Sequence, residues 1–195
     1  MIDTLVTQLA AAQEMRMPLR IGVEDGAYAF VTLHRPSNVD VPERLSEIVR
    51  FLEAVSRELP VVFPLHPRCR ARLVETGLYS ALERNDRVQI LDALPYIENL
   101  SLLERTTVVL TDSGGIQEET SFLGVPCLTL RDNTERPITV TRGTNTIIGN
   151  DLGLGLALVR DCLAGRYKKG GTIPGWDGSA APRVIEALQT RWSLR

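Results

Sequence analysis

Short runs of apolar and β-branched residues alternate along this chain with stretches of helical periodicity. This alternation constrains the fold more than any other feature of the sequence. Strands are predicted at residues 28–33, 60–65, 88–91, 107–111 and 126–130, with a further candidate at 144–148. Helices are predicted at residues 2–12, 43–57, 68–75, 98–104, 116–122, 151–163 and 182–192. Strands that alternate with helices predict an α/β fold, in which a parallel sheet carries helices on both faces.

The length of 195 residues suits a single domain with a sizeable core. We expect an N-terminal helix or linker at residues 1–20 and the main domain at 21–165. A polar loop rich in Gly and Pro and a closing helix of the same domain follow at 166–195. The apolar stripe of helix 2–12 must pack either on the sheet or on a neighbour. At the start of helix 43–57, Asp40 and Glu43 are spaced as a capping box, with Pro42 in the tolerated first turn.

Composition excludes several classes of function. The formal net charge is −2, which argues against a basic surface for nucleic acid or anionic membrane. No apolar run approaches the roughly 20 residues that cross a bilayer, and the start of the chain is not a secretory signal. The three cysteines, Cys69, Cys127 and Cys162, are odd in number and lack metal-ligand spacing, so we expect reduced thiols, no bound metal and a cytosolic location.

Candidate functional residues follow the predicted strands, where ligands of open parallel sheets bind. Both histidines of the chain lie at this edge, His34 after the first strand and His66 after the second. The other candidates there are Arg35, Tyr96, Asp112–Gly115, Arg131 and Asp132. A lone histidine is more often structural than catalytic, so the coincidence of both at one edge carries the argument.

The strongest single element is the step from a strand through Ser113, Gly114 and Gly115 into a helix. Free backbone amides and the helix dipole make such an N-terminus suitable for a phosphate, and Ser113 can cap it. The glycines could equally serve only a tight turn and close packing of the helix on the sheet.

Glu119 favours a nucleotide as the ligand. It lies four residues after Gly115, on the same helical face. Its carboxylate would repel a phosphate alongside it but could accept two hydrogen bonds from a ribose diol. The alternative is a solvated glutamate stabilised by the dipole. Arg136, before Pro137, could clamp a diphosphate, although a surface arginine is more often only solvated.

Several segments together resemble the non-hydrolysing UDP-N-acetylglucosamine 2-epimerases in sequence, order and spacing, over nearly the whole chain. They are Val31–Arg35 (VTLHR), Leu65–Pro67 (LHP), Leu110–Glu119 (LTDSGGIQEE), Arg131–Pro137 (RDNTERP) and Gly175–Ala180 (GWDGSA). The resemblance implies a Rossmann-like domain, the C-terminal half of the two-domain glycosyltransferase-B arrangement. It also implies a reaction in cell-surface polysaccharide biosynthesis that eliminates UDP from UDP-N-acetylglucosamine and adds it back to give the manno epimer, without NAD or another cofactor.

The resemblance also assigns residue roles. Ser113, Gly114 and Gly115 should meet the diphosphate of a UDP-N-acetylhexosamine, and Glu119 its ribose. Arg136 and His34 should face the diphosphate-sugar region, with His34 the candidate catalytic residue of this half, and Tyr96 is a further substrate-binding candidate. Arg35 and His66 are similar to residues of a regulatory site. Many members carry His-Arg-Arg-Glu-Asn where this chain has His34-Arg35-Pro36-Ser37-Asn38, which puts the regulatory site in question.

The resemblance places Met1 at the start of the family's interdomain linker, so the N-terminal domain, with most of the acid and base groups, is expected to be missing. We therefore expect the isolated chain to bind UDP without turnover, and to form a homo-oligomer or associate with an N-terminal domain. Two alternatives stay open: an inactive module that binds UDP or a UDP-sugar, and a glycosyltransferase of the same architecture. A dinucleotide oxidoreductase is disfavoured, because no Gly-x-Gly-x-x-Gly follows the first strand.

Overall fold

The computed structural model describes residues 1–193, and within that range the chain folds around a sheet of six parallel strands. The strands are β1 (Ala29–Thr32), β2 (Val61–Pro64), β3 (Val88–Leu91), β4 (Val108–Thr111), β5 (Cys127–Thr129) and β6 (Asn145–Ile147). Their order in the sheet is β3-β2-β1-β4-β5-β6. The predicted α/β fold is confirmed, and the candidate sixth strand is present.

The helices of residues 1–193 include each of the seven predicted ones, with ends shifted by up to three residues. They are α1 (Ile2–Met15), α2 (Met17–Ile21), α3 (Pro36–Val39), α4 (Pro42–Glu58), α5 (Pro67–Glu75), α6 (Tyr79–Glu83), α7 (Tyr96–Leu103), α8 (Gly114–Leu123), α9 (Pro137–Thr141), α10 (Leu152–Leu163) and α11 (Ala180–Ser193). Sequence periodicity does not predict α2, α3, α6 and α9, because four or five residues are too few to show a helical period. None of these helices is long and apolar enough to span a bilayer.

The pleat of the strands divides the core into two layers. In β1, Ala29 and Val31 point to one face of the sheet, while Phe30 points to the other. The first face is covered by α4, α5 and α10, and the second by α1, α7 and α8. Helices on both faces are what parallel strands require, since each strand is buried on both sides.

Helix α4 buries the predicted stripe but begins differently from the prediction. Pro42 is its first residue, as expected, but the N-cap is Val41 and makes no side-chain bond, so the capping box is wrong. Asp40 instead accepts hydrogen bonds from Arg68 and Arg72 of α5. Two arginines of a neighbouring helix thus replace the local backbone partners that the spacing suggested.

The two terminal helices differ in their environment. In α1, Ile2 and Leu5 are buried against the second face of the sheet, so the apolar stripe of this helix packs on the sheet, the first of the two expected alternatives. In α11, the apolar side chains are exposed. They are Val184 (57% exposed), Ile185 (55%), Leu188 (48%) and Trp192 (73%).

The segment between α10 and α11 contains no helix or strand, as predicted, yet part of it packs on the sheet edge. The Tyr167 hydroxyl donates to the backbone carbonyls of Cys127 and Thr144, and the Lys168 ammonium donates to those of Val140 and Asn145. Among these acceptors, the Asn145 carbonyl belongs to β6, so Lys168 satisfies one backbone group of the strand at the edge of the sheet. Residues 194 and 195, the end of the predicted closing segment, lie outside the described residues.

Candidate functional site

The candidate site lies at the carboxyl edge of the sheet, where the strand order reverses. β1 pairs with β4 in a register that aligns Thr32 with Thr111, and their hydroxyls are 2.7 Å apart. The residues that follow, His34 and Asp112, are therefore neighbours although 78 positions separate them in sequence. The connections from β1 and β4 leave towards opposite faces of the sheet, which opens a crevice between them.

A cleft of about 350 Å³ occupies this crevice. Its walls are mixed in chemistry, with apolar side chains such as Leu94 and Ile116. The polar residues that line it include His34, His66, Tyr96, Ser113 and Glu119. Both histidines thus meet in one cavity, with their ring centroids 5.6 Å apart. Apolar walls with a few convergent polar groups are typical of small-molecule sites.

The N-terminus of α8 opens towards this cleft. Ser113 is the N-cap, and its hydroxyl accepts from the Ile116 amide at 3.5 Å, so the predicted cap is confirmed. The first amides of a helix have no partner within it, so those of Gly114 and Gly115 are available to a ligand. Gly115 lines the cleft, whereas Gly114 faces Glu135, whose Oε2 would lie 3.8 Å from a Cβ at that position.

Glu119 lies deep in the same cleft and is 4% exposed. Its Oε1 accepts a hydrogen bond from the Tyr96 hydroxyl at 3.0 Å. Burial raises the pKa of Glu119, and the bond from Tyr96 only partly opposes that effect. Burial and the neighbouring carboxylate also raise the pKa of Tyr96, so Tyr96 is the donor of this pair. A carboxylate has about four acceptor positions, which leaves capacity for a ligand diol.

The two predicted arginines do not line this cleft. Arg136 is paired through its Nε with Glu118 of α8, at 2.9 Å, and is 43% exposed. Because Glu118 follows Gly114 by four residues, Arg136 contacts the face of α8 that carries Gly114. Arg35 lines a separate cavity together with Arg44, Arg131 and Asp132, so it does not share a cavity with His66. Its Nε is buried without a partner in the described part of the chain.

Asp112 is a site residue to which the sequence analysis gave no role. It is fully buried, and its carboxylate accepts from the backbone amides of His34 and Arg35 and from the side-chain amide of Asn38. His34 Nδ1 lies 2.9 Å from Asp112 Oδ1. Burial alone would raise the pKa of Asp112, but these hydrogen bonds outweigh it and hold the pKa below its ordinary value. The pairing of β1 with β4 would have revealed this contact, but sequence periodicity does not give strand order.

Metal-binding chemistry finds no support within residues 1–193, where no three His, Cys, Asp or Glu side chains are grouped to hold an ion. The three cysteines are free. The polar groups of the described cleft include two imidazoles, a phenol, a carboxylate and the amides of a helix N-terminus.

Comparison with known proteins gives a consistent picture. The family model described as UDP-N-acetylglucosamine 2-epimerase matches residues 1–189. The UDP-N-acetylglucosamine 2-epimerase of Methanocaldococcus jannaschii is 38% identical over 168 residues, which cover 85% of this chain and 45% of that protein. The UDP-2,3-diacetamido-2,3-dideoxy-D-glucuronate 2-epimerase of Pseudomonas aeruginosa is 39% identical over 178 residues, or 91% of this chain and 48% of that protein.

A solved structure shares the fold. The crystal structure of the M. jannaschii UDP-GlcNAc 2-epimerase in complex with UDP-GlcNAc and UDP superposes with a TM-score of 0.84 at 33% identity. The match covers 97% of this chain and 52% of that one. The chain thus spans about half the length of the relatives it matches.

Proposed function

Because the chain belongs to the UDP-N-acetylglucosamine 2-epimerase family, we propose that it is the UDP-binding half of an enzyme that interconverts UDP-N-acetylglucosamine and its manno epimer. One observation carries this proposal: a helix N-terminus with exposed amides and a buried carboxylate, Glu119, line the same cleft. A site that holds a phosphate beside a ribose fits a nucleoside diphosphate.

The contribution of this half to the reaction is its grip on UDP. In the reaction that the resemblance implies, UDP leaves with the electrons of its bond to C1 while C2 loses a proton. UDP then bonds to C1 again while a proton adds to the opposite face of C2. UDP is therefore both leaving group and returning nucleophile. Fixed donors aimed at its phosphates stabilise the charge that develops on departure. We assign this role to the amides of Gly114 and Gly115 and to the hydroxyl of Ser113.

The other assignments follow from the positions of the side chains. Glu119, supported by Tyr96, is proposed to bind the ribose, and His34 to face the diphosphate and sugar. Glu118 holds Arg136 through its Nε, so we propose that Arg136 contacts a diphosphate through its terminal Nη groups. We propose Arg35 and His66 as contacts for a regulatory ligand only where that ligand spans two cavities, since the two residues line different ones.

Inversion at C2 needs an acid or base on each face of the sugar and the exclusion of water. The chain spans about half the length of its relatives. We therefore propose that a second domain supplies the opposite side. The exposed apolar side chains of α11 support association with such a domain or with another copy. The free cysteines support a cytosolic location.

Two matched variants test the phosphate site by calorimetric titration with UDP. Gly115→Ala places a methyl group on the cleft side, where its nearest neighbours are the flexible end of Met1 and the Ser113 hydroxyl. It should raise the Kd for UDP by roughly 5- to 150-fold, from the typical cost of overpacking, about 1–3 kcal/mol. Gly114→Ala is the control, because its methyl group meets only Glu135 at an ordinary contact distance. Absence of UDP binding by the unmodified chain at millimolar concentration would refute the proposal.

The division of labour between two halves is tested by turnover. Conversion of UDP-N-acetylglucosamine, followed by the anomeric and C2 proton signals in NMR, should be absent with residues 1–195 alone. Turnover by a monomer of this chain would contradict the proposed need for a second domain. UDP binding without turnover in any assembly would instead favour the inactive binding module.

A second substrate has specific support, since the P. aeruginosa relative acts on a UDP-2,3-diacetamido-2,3-dideoxy-D-glucuronate and is 39% identical. The UDP-binding half would serve either sugar equally, because ribose and phosphates are common to both. Assaying an active assembly of this chain with both UDP-sugars separates the two substrates by the ratio of their kcat/KM values.

A further inference from the structure

The two histidines of the cleft differ at Nδ1, where one ring donates a hydrogen bond and the other accepts one. His34 Nδ1 faces the Asp112 carboxylate at 2.9 Å. His66 is the N-cap of α5, and its Nδ1 accepts from the backbone amide of Arg68 at 3.2 Å. One ring therefore has an acceptor as its Nδ1 partner, and the other has a donor.

Asp112 is fixed in place and in its ionised form. Its four hydrogen bonds come from two backbone amides, from Asn38 and from His34, and each requires the carboxylate to accept. The orientation of Asn38 is fixed as well, because its amide nitrogen also donates to the Leu130 carbonyl and its oxygen accepts from Arg44. Arg44 is 8% exposed and also donates to the Gly149 carbonyl. Asn38 therefore lies between a buried cation, Arg44, and the buried carboxylate of Asp112.

These partners determine where each neutral imidazole carries its proton. A carboxylate only accepts, so His34 must carry hydrogen on Nδ1 and present an unprotonated Nε2. A backbone amide only donates, so His66 must leave Nδ1 bare and carry hydrogen on Nε2. Both rings line the same cleft with centroids 5.6 Å apart.

We propose that Asp112 is a positioning residue that locks His34 as the Nδ1–H tautomer, while α5 locks His66 as the Nε2–H tautomer, so that the cleft holds one imidazole acceptor beside one imidazole donor. His34 Nε2 can then take a proton from a bound sugar, and His66 can donate a hydrogen bond to an oxygen of the same ligand. Phosphate oxygens accept only, so of the two neutral rings His66 alone can bond to a diphosphate. The tautomers stand on the geometry alone, whereas their use towards a UDP-sugar rests on the proposed function.

The chain offers a direct test because it contains two histidines only. The protein is labelled with ¹⁵N at histidine, and long-range proton–nitrogen correlation spectra are recorded near pH 9, where an ordinary imidazole is neutral. His66→Gln assigns the two spin systems. We expect a protonated Nδ1 in His34 and a protonated Nε2 in His66. The same tautomer in both rings, or the reverse assignment, overturns the proposal.

Asp112→Asn tests the cause. The shape of the side chain is kept, but its amide can donate to Nδ1, so His34 should lose its pure Nδ1–H pattern while His66 keeps Nε2–H. An unchanged His34 in the folded variant overturns the role of Asp112, and the unmodified protein still decides the tautomers if the variant does not fold. Added UDP should shift the Nε2 signal of His66. UDP that binds by calorimetry without that shift refutes the contact of His66 with the ligand, whereas no UDP binding refutes the proposed function and leaves the tautomers standing.

Discussion

Removal of the Glu119 carboxylate separates recognition of ribose from recognition of phosphate. Glu119 is 4% exposed at the base of the cleft and holds Tyr96 at 3.0 Å. A hydrogen bond to a charged acceptor contributes about 1.5–3 kcal/mol, so Glu119→Ala should raise the Kd for UDP by roughly 10- to 150-fold. Pyrophosphate has no diol, so Glu119→Ala should not weaken its binding, because the carboxylate that is lost would only repel it.

The assay is calorimetric titration of each variant with UDP and with pyrophosphate. Tyr96→Phe is the control for the supporting residue, and it should weaken UDP less than Glu119→Ala because the carboxylate stays in place. Equal losses of affinity for UDP and pyrophosphate would refute the assignment of Glu119 to the ribose. So would a Tyr96→Phe effect as large as that of Glu119→Ala.

Stability measurements distinguish a binding defect from a folding defect. Burial raises the pKa of Glu119 in the folded state above its unfolded value, so the folded protein gains stability as pH falls towards that pKa. Above it, the ionised carboxylate costs stability. Glu119→Gln should therefore be at least as stable as the unmodified protein at neutral pH while binding UDP more weakly. A variant that is less stable at pH 7 would contradict this reasoning.

Three further predictions concern packing, pH and assembly. Gly155→Ala should lower the free energy of unfolding by about 1–3 kcal/mol in urea, because the added methyl group would lie 2.9 Å from Ile148 Cδ1 and 3.0 Å from Phe51 Cζ; an unchanged midpoint would show that the site can relax. Hydrogen bonds hold the pKa of Asp112 below its ordinary value despite burial. The ionised carboxylate therefore stabilises the folded protein above the pKa of the unfolded state, and this stabilisation is lost as pH falls through the pKa of the folded state. Asp112→Asn should therefore be less stable near neutrality and lose less stability in acid, as urea unfolding across pH will measure. Leu188→Arg, on the exposed stripe of α11, should reduce self-association, which light scattering measures as a lower mass. Equal masses for the variant and the unmodified protein at all concentrations would refute a role for that stripe.

Local features of this protein follow from its sequence. The two periodicities, two for strands and 3.6 for helices, depend on neighbouring residues only, and they predict the six strands and the seven long helices. The cap at Ser113 and the position of Glu119 on the cleft side of α8 follow from spacing within one helix. Even the clustering of both histidines follows, because the carboxyl ends of parallel strands share one edge.

The tertiary structure decides what depends on strand order and on side-chain partners. The contact of Asp112 with His34 joins residues 78 positions apart, and it exists because β1 and β4 pair directly in one register. In the same way, Arg35 lines a cavity other than the cleft, and Arg136 pairs with Glu118. The spacing of residues along a chain fixes which face a side chain shares with its near neighbours. Which distant carboxylate, amide or cation it meets is set by the packing of whole strands and helices, and that packing has no signature in any single segment.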